Sequence, residues 1–173
     1  MPLFKIWKKY PYPTALLQQY FMCHKVWQAA MPYKLVEINP IEKYRWNWRI
    51  KDSINFILFK WNFEHTFTSV QEEHPDHLFI KFENSNQVND FTAKILFQEK
   101  KKEHHIENIV TLQFDKLRLK DPLLNTVKLA FIEIMKKDYK KFLDNVFELL
   151  NQKQMRLKIL QDCPWTNYKV IQF

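Results

Sequence analysis

The longest regular pattern in the chain lies in residues 121–152, where Val127, Phe131, Ile134, Phe142, Val146 and Leu149 recur at intervals of three, four or eight. That spacing predicts one helix with a single buried stripe. Pro122 suits the first turn, where its missing amide proton costs nothing, and Asp121 before it is a good N-cap. Unbroken, such a helix would be roughly 48 Å long, enough to cross a small domain. Its other face carries Lys128, Lys136, Lys137, Lys140 and Lys141 and is expected to meet solvent, an acidic partner or a membrane surface.

Upstream, the dominant period is two. Residues 3–9 alternate and end at Pro11 and Pro13, as a first strand would. A helix capped by Thr14 follows, with Leu16, Leu17, Tyr20, Phe21 and His24 on one side, and a second short turn reaches Ala30 before Pro32 stops it. Residues 35–39 are a brief strand. Tyr44, Trp46, Trp48 and Ile50 alternate with polar neighbours as a half-buried strand does. Residues 55–71 read as one long curved strand with Ile57, Phe59, Trp61, Phe63, His65 and Phe67 on one face. After a turn at His74-Pro75-Asp76 come strands carrying Leu78, Ile80 and Phe82, then Phe91, Ala93, Ile95 and Phe97. A polar hairpin tip at residues 100–103 leads to a strand over 106–119, with Val110, Leu112 and Phe114 facing one way.

This order predicts an α+β fold: a curved, strongly twisted antiparallel sheet with a long C-terminal helix laid across its concave face, leaving space between them. Residues 1–153 form the expected domain and residues 154–173, with only weak pattern, a C-terminal tail.

Composition narrows the partners. Hydrophobic residues make up 46% and aromatics 16%, which supports a real core. The net charge is 27 minus 19, or +8, which suits an anionic partner. Only Arg45, Arg49, Arg118 and Arg156 offer the planar fork that bases and phosphates favour, so no nucleic-acid partner is expected. The chain contains no glycine, which excludes glycine-rich phosphate loops, dinucleotide fingerprints and glycine-flanked nucleophilic serines. Asn84, Asn86 and Asn89 are the expected substitutes where positive φ is needed. Cys23 and Cys163 lie far apart in sequence with no metal spacing, so no disulfide scaffold is expected and a reducing compartment is. No apolar run approaches the ~18 residues of a membrane span. The amino-terminal segment, with Lys5, Lys8 and Lys9 but no arginine, matches neither a transit peptide nor a secretory signal.

Candidate chemistry is sparse. His74 and His77, or His104 and His105, do not make up four ligands at zinc spacing, so no metal site is expected. Glu72, Glu73, His65 and Asp115 are raw material for acid–base work, but nothing fixes their separation, and no catalytic role is expected.

Two stretches carry a family resemblance. Tyr12-Pro13-Thr14-Ala15-Leu16-Leu17, through Trp27, to Met31-Pro32-Tyr33-Lys34 is one; Leu117-Arg118-Leu119-Lys120-Asp121-Pro122-Leu123-Leu124, with Phe131 and Glu133 beyond, is the other. Phe67-Thr68-Ser69-Val70 between them resembles a strand bearing a Thr-Ser pair. Together they resemble the coenzyme Q-binding proteins of the START-like (SRPBCC) superfamily over roughly residues 3 to 150. Lys34 stands where that family has cysteine, Cys23 where it has aspartate, and Ala30 where it has an aromatic residue. The resemblance implies a START-like helix-grip fold and non-catalytic binding of ubiquinone or another prenyl lipid. It also implies peripheral location on the matrix side of the mitochondrial inner membrane, in support of respiration.

The expected lipid site takes Met31, Pro32 and Tyr33 from the early segment, Trp46, Trp48 and Phe67 from the sheet, and Val127, Phe131, Ile134 and Met135 from the long helix. The same residues would serve equally to fill a core. A competing expectation is an accessory subunit of a large mitochondrial assembly, such as a respiratory complex. It rests on Ala30 and Lys34, on the lysine face, and on a tail bearing Trp165, Tyr168, Val170, Ile171 and Phe173 that would fit a partner's groove.

Overall fold

A computed structural model describes residues 1–56 and 59–165. The alternating segments become β1 (Phe4–Tyr10), β2 (Leu35–Glu42), β3 (Arg45–Asn55), β4 (Lys60–Glu73), β5 (His77–Glu83), β6 (Val88–Lys101) and β7 (Ile106–Leu119). They form one sheet in the order β1-β7-β6-β5-β4-β3-β2, every neighbouring pair antiparallel. The helices are α1 (Thr14–Phe21), α2 (His24–Ala30), α3 (Pro122–Thr126), α4 (Lys128–Asn151) and α5 (Lys153–Gln161).

Period-two alternation sets which face of each strand is buried. Trp46, Trp48 and Ile50 on β3, Leu78 and Ile80 on β5, and Phe91, Ala93, Ile95 and Phe97 on β6 are all buried. On β7 the inward set changes from Val110, Leu112 and Phe114 to Leu117 and Leu119. A register shift explains it: Thr92 pairs with Lys116 and Ala93 with Phe114, so Asp115 is an extra residue that flips the parity.

The helices close over this inner face. Trp27 of α2 stacks on Phe142 of α4 at 4.5 Å, meets Trp48 edge-on at 5.7 Å, and donates to the carbonyl of Phe21 at 2.6 Å. Tyr10 donates to the carbonyl of Leu143, Tyr12 to that of Leu150, and the Asn145 amide to that of Ala30. The early segment Tyr12 to Tyr33 is therefore largely the clasp that holds α1 and α2 to α4.

Several expectations need correction. The long helix is broken at Val127 (φ −104°, ψ 19°) into α3 and α4. The Thr126 hydroxyl donates to the Leu123 carbonyl and the Asn125 amide to those of Leu119 and Asp121, so local side chains compete with helix continuation. Asp121 is the N-cap expected, accepting from the Leu123 N–H at 2.8 Å. The buried stripe of α4 is Ile132, Met135, Tyr139, Phe142, Leu143, Val146 and Leu150, while Val127, Phe131, Ile134 and Leu149 lie half-buried on its flank.

Residues 55–71 are not one strand. Asn55 pairs with Lys60 across a β3–β4 hairpin, and the unbroken aromatic and β-branched run hid the turn; Ile57 lies outside the described residues. Thr14 is the first residue of α1 and Pro13 its N-cap, because the Thr14 hydroxyl accepts from Asn108. Of the three asparagines only Asn84 has positive φ, at 52°. Asn86 instead ties its loop to β4, accepting from the Thr66 N–H and donating to the Glu64 carbonyl, both at 2.9 Å.

The cysteines are not free. Cys23 and Cys163 form a disulfide with Cα atoms 5.7 Å apart, a normal span, across 140 residues. They meet because the first part of the tail is not patternless: it forms α5, which folds back and buries Ile159 and Leu160. Tyr168, Val170, Ile171 and Phe173 lie outside the described residues.

Candidate functional site

Because α4 starts as a separate helix, its first half stands over the sheet with room beneath it. A cavity of about 70 Å³ lies there, walled by α4, by β3 to β7 and by Tyr33 after α2. Its sheet side is almost wholly apolar: Ile50, Ile54, Trp61, Phe63, Phe67, Phe82, Val88, Phe91, Leu117 and Leu119. Phe131, Ile134, Met135, Asp138 and Tyr139 of α4 face them. The volume is well below the roughly 300–1,000 Å³ of drug-sized ligand sites, so a lipid ring enters only if the walls part.

Aromatic rings form those walls at the hairpin end. Trp61 stacks on Phe63 at 4.8 Å, Trp61 meets Phe131 edge-on at 6.0 Å, and Phe63 meets Tyr33 at 6.4 Å. All of these rings are half-buried. Beyond Phe67 and Phe82 a second space of about 10 Å³ leads to Trp27, Met31, Trp48, Gln71 and Ile80. The Oε1 atom of Gln71 is buried there without a hydrogen-bond partner.

Few polar groups border the cavity. Burial pushes the His65 imidazole down to about 4, so the ring is neutral at ordinary pH. Its Nε2 lies 2.8 Å from Ser85 Oγ. On the helix side, burial and then the neighbouring Asp52 raise the Asp138 carboxyl. The Tyr33 and Tyr139 hydroxyls are raised as well, burial being the main cause in both.

Five of the ten predicted site residues line the main cavity: Tyr33, Phe67, Phe131, Ile134 and Met135. Met31 and Trp48 line the inner space, which Phe67 also borders. Pro32, Trp46 and Val127 line neither. Trp46 is fully buried behind Trp48 and against His24, its indole bonded to the Lys43 carbonyl; Val127 sits at the helix break; Pro32 is half-buried between α2 and β2. His65 and Asp138, polar residues that line the cavity, were missed as site residues. The parity of Trp61, Phe63, His65 and Phe67 placed His65 on the lining face, and this was the signal that could have found it. No described helix is long and apolar enough to cross a membrane.

No protein-family model and no curated protein matches the chain. Among solved structures it is similar to the Zhui aromatase/cyclase from Streptomyces sp. R1128, at 11% identity over 87% of this chain and 94% of that one, with a TM-score of 0.59. It is similar also to the protein TTHA0849 from Thermus thermophilus, at 11% identity over 89% and 96%, with a TM-score of 0.58. A conserved protein from Geobacillus kaustophilus matches at 9% identity over 92% and 95%, with a TM-score of 0.51. At such identities the likeness speaks for the fold alone, which is a START-like α+β helix-grip fold. An aromatase/cyclase is among the proteins that share it, and nothing in these matches singles out the coenzyme Q-binding branch.

Proposed function

We propose that the chain binds a hydrophobic lipid without turnover, ubiquinone being the leading candidate, in support of mitochondrial respiration at the inner membrane. The observation that carries this reading is the aromatic-walled cavity between α4 and the sheet, closed by half-buried rings rather than by a packed core. Rings that meet edge-on and stack can be displaced by a flat quinone head, which replaces the contacts they give up. The motif resemblance at residues 12–34 and 117–124 supplies the choice of ubiquinone.

Mass spectrometry of an organic extract of the purified protein tests it, together with the thermal shift on adding ubiquinone. A co-purifying prenylquinone or a saturable stabilisation is expected. An empty protein whose melting temperature ubiquinone leaves unmoved rejects the reading.

A second reading, an accessory subunit of a respiratory or other large mitochondrial assembly, is favoured by Trp7, Leu123 and Leu129, which are 62%, 57% and 80% exposed. Large apolar side chains left in water suit a protein partner. Native electrophoresis of detergent-solubilised membranes separates the two, since a free carrier migrates near 21.4 kDa and a subunit with the larger complex.

A further inference from the structure

The Asn86 amide, bonded to β4 at Glu64 and Thr66 on either side of His65, fixes the 84–87 loop beside that ring. Lys120 secures the same loop, its ammonium donating to the Ser85 carbonyl at 2.5 Å and its backbone N–H to the Gln87 carbonyl at 2.8 Å. Within this frame Ser85 Oγ accepts from two backbone donors, the Gln87 N–H at 3.1 Å and the Val88 N–H at 2.9 Å. A hydroxyl oxygen has two acceptor sites and one proton. Both acceptor sites are taken, so the proton goes to the remaining neighbour, His65 Nε2 at 2.8 Å.

That assignment fixes the tautomer. A neutral imidazole that accepts at Nε2 carries its own proton at Nδ1. Nδ1 bonds to no described group, yet the ring borders the cavity. The sheet wall therefore carries a hydrogen-bond donor held in one tautomer, with no acceptor for it among the described residues. Across the cavity stands the Asp138 carboxyl, which repels an electron-rich oxygen when ionised.

Resting on the lipid-binding reading above, we propose that His65 Nδ1–H is the head-group anchor of the site, donating to a carbonyl oxygen on the ring of the bound lipid. A carbonyl satisfies the orphan donor, and the apolar walls take the ring face and the tail. The site then selects quinone-like, carbonyl-bearing rings over hydrocarbon rings of the same shape.

The test compares decylubiquinone with decylbenzene, which keeps a flat six-membered ring and the ten-carbon tail but lacks the carbonyl, methoxy and methyl groups, by the change in tryptophan fluorescence. Wild-type protein should bind decylubiquinone at least about tenfold more tightly, and His65→Phe should remove most of that preference, the readout being the ratio of the two affinities within each protein. A preference kept in the variant, or no preference in the wild type, overturns the anchor and leaves lipid binding standing. If wild-type protein binds neither probe, the lipid-binding reading falls and the anchor with it. Should His65→Phe fail to fold, nitrogen-15 correlation spectra of the wild-type imidazole decide. A protonated Nδ1 whose proton moves downfield with decylubiquinone, but not with decylbenzene, supports the anchor; an Nε2–H tautomer or an unmoved proton overturns it.

Discussion

Trp61 of β4 and Phe131 of α4 meet edge to face, with ring centroids 6.0 Å apart, at the hairpin end of the cavity. The contact joins the two elements that must separate for a lipid ring to enter. An aromatic pair contributes about 0.5–1.5 kcal/mol beyond its buried area. Phe131→Ala should therefore speed decylubiquinone uptake about threefold to tenfold in stopped-flow quenching, with a smaller change in affinity. Uptake at the wild-type rate would place the entrance elsewhere.

The same pair relocates the stability of α4. Phe131 is half-buried, whereas Phe142 is fully buried and stacked on Trp27. An unpaired charge at Phe142 has no route to water, so Phe142→Asp should cost more than about 4 kcal/mol and give no folded protein. Phe131→Asp should fold, with a clearly lower melting temperature. Equal loss in both, by circular dichroism, would mean that the cavity mouth is core after all.

The Cys23–Cys163 bond closes a loop of 140 residues around the domain and pins α5 to the junction of α1 and α2. Chain entropy alone makes such a cross-link worth about 3–5 kcal/mol, so reduction or Cys163→Ser should lower the melting temperature on the order of 10 °C. No change on reduction would show that the thiols do not pair. The bond also bears on location, because a matrix-facing protein meets a reducing pool whereas the space outside the inner membrane oxidises thiols. On the mitochondrial reading proposed above, alkylation of intact mitochondria followed by mass spectrometry of Cys23 and Cys163 separates the sides: a blocked pair speaks for the outer side, alkylated thiols for the matrix.

Much of the architecture was legible because period-two alternation marks a half-buried strand wherever it persists. Trp46, Trp48 and Ile50 face inward as their parity required. Where a run of one residue class carried no punctuation, the sequence was silent: residues 55–71 hide a hairpin, and a glycine-free chain offers few turn signals. The cavity was half legible for a related reason. Periodicity finds the face of an element, which brought Phe67, Phe131 and Met135 together, but not its depth, which left Trp46 behind the site. The Ser85–His65 bond and the disulfide join residues 20 and 140 positions apart, and only the folded chain brings them together.

Titration of His65 gives the last prediction. Burial lowers its folded-state value from 6.5 to about 4, so between these limits the unfolded chain holds more protons than the folded one. Stability from this group is fully present above about pH 6.5, falls as the solution is acidified, and levels off below about pH 4. A gap of about 2.5 units corresponds to at most about 3 kcal/mol. His24 is lowered too, by burial and then by Lys25, and acts in the same direction. Asp138 acts in the opposite one: its raised carboxyl takes a proton in the folded state first, and so stabilises on acidification. The raw pH curve mixes these three with the lowered carboxylates Glu64, Asp76, Glu83 and Glu107, and the difference between wild type and His65→Gln isolates one, since glutamine keeps an amide beside Ser85 but does not titrate. Denaturant melts at pH 7 and pH 4.5 should show wild type losing more stability than the variant. Parallel losses would mean that the imidazole charges freely in the folded state, and a ring that does so does not keep its proton on Nδ1 alone.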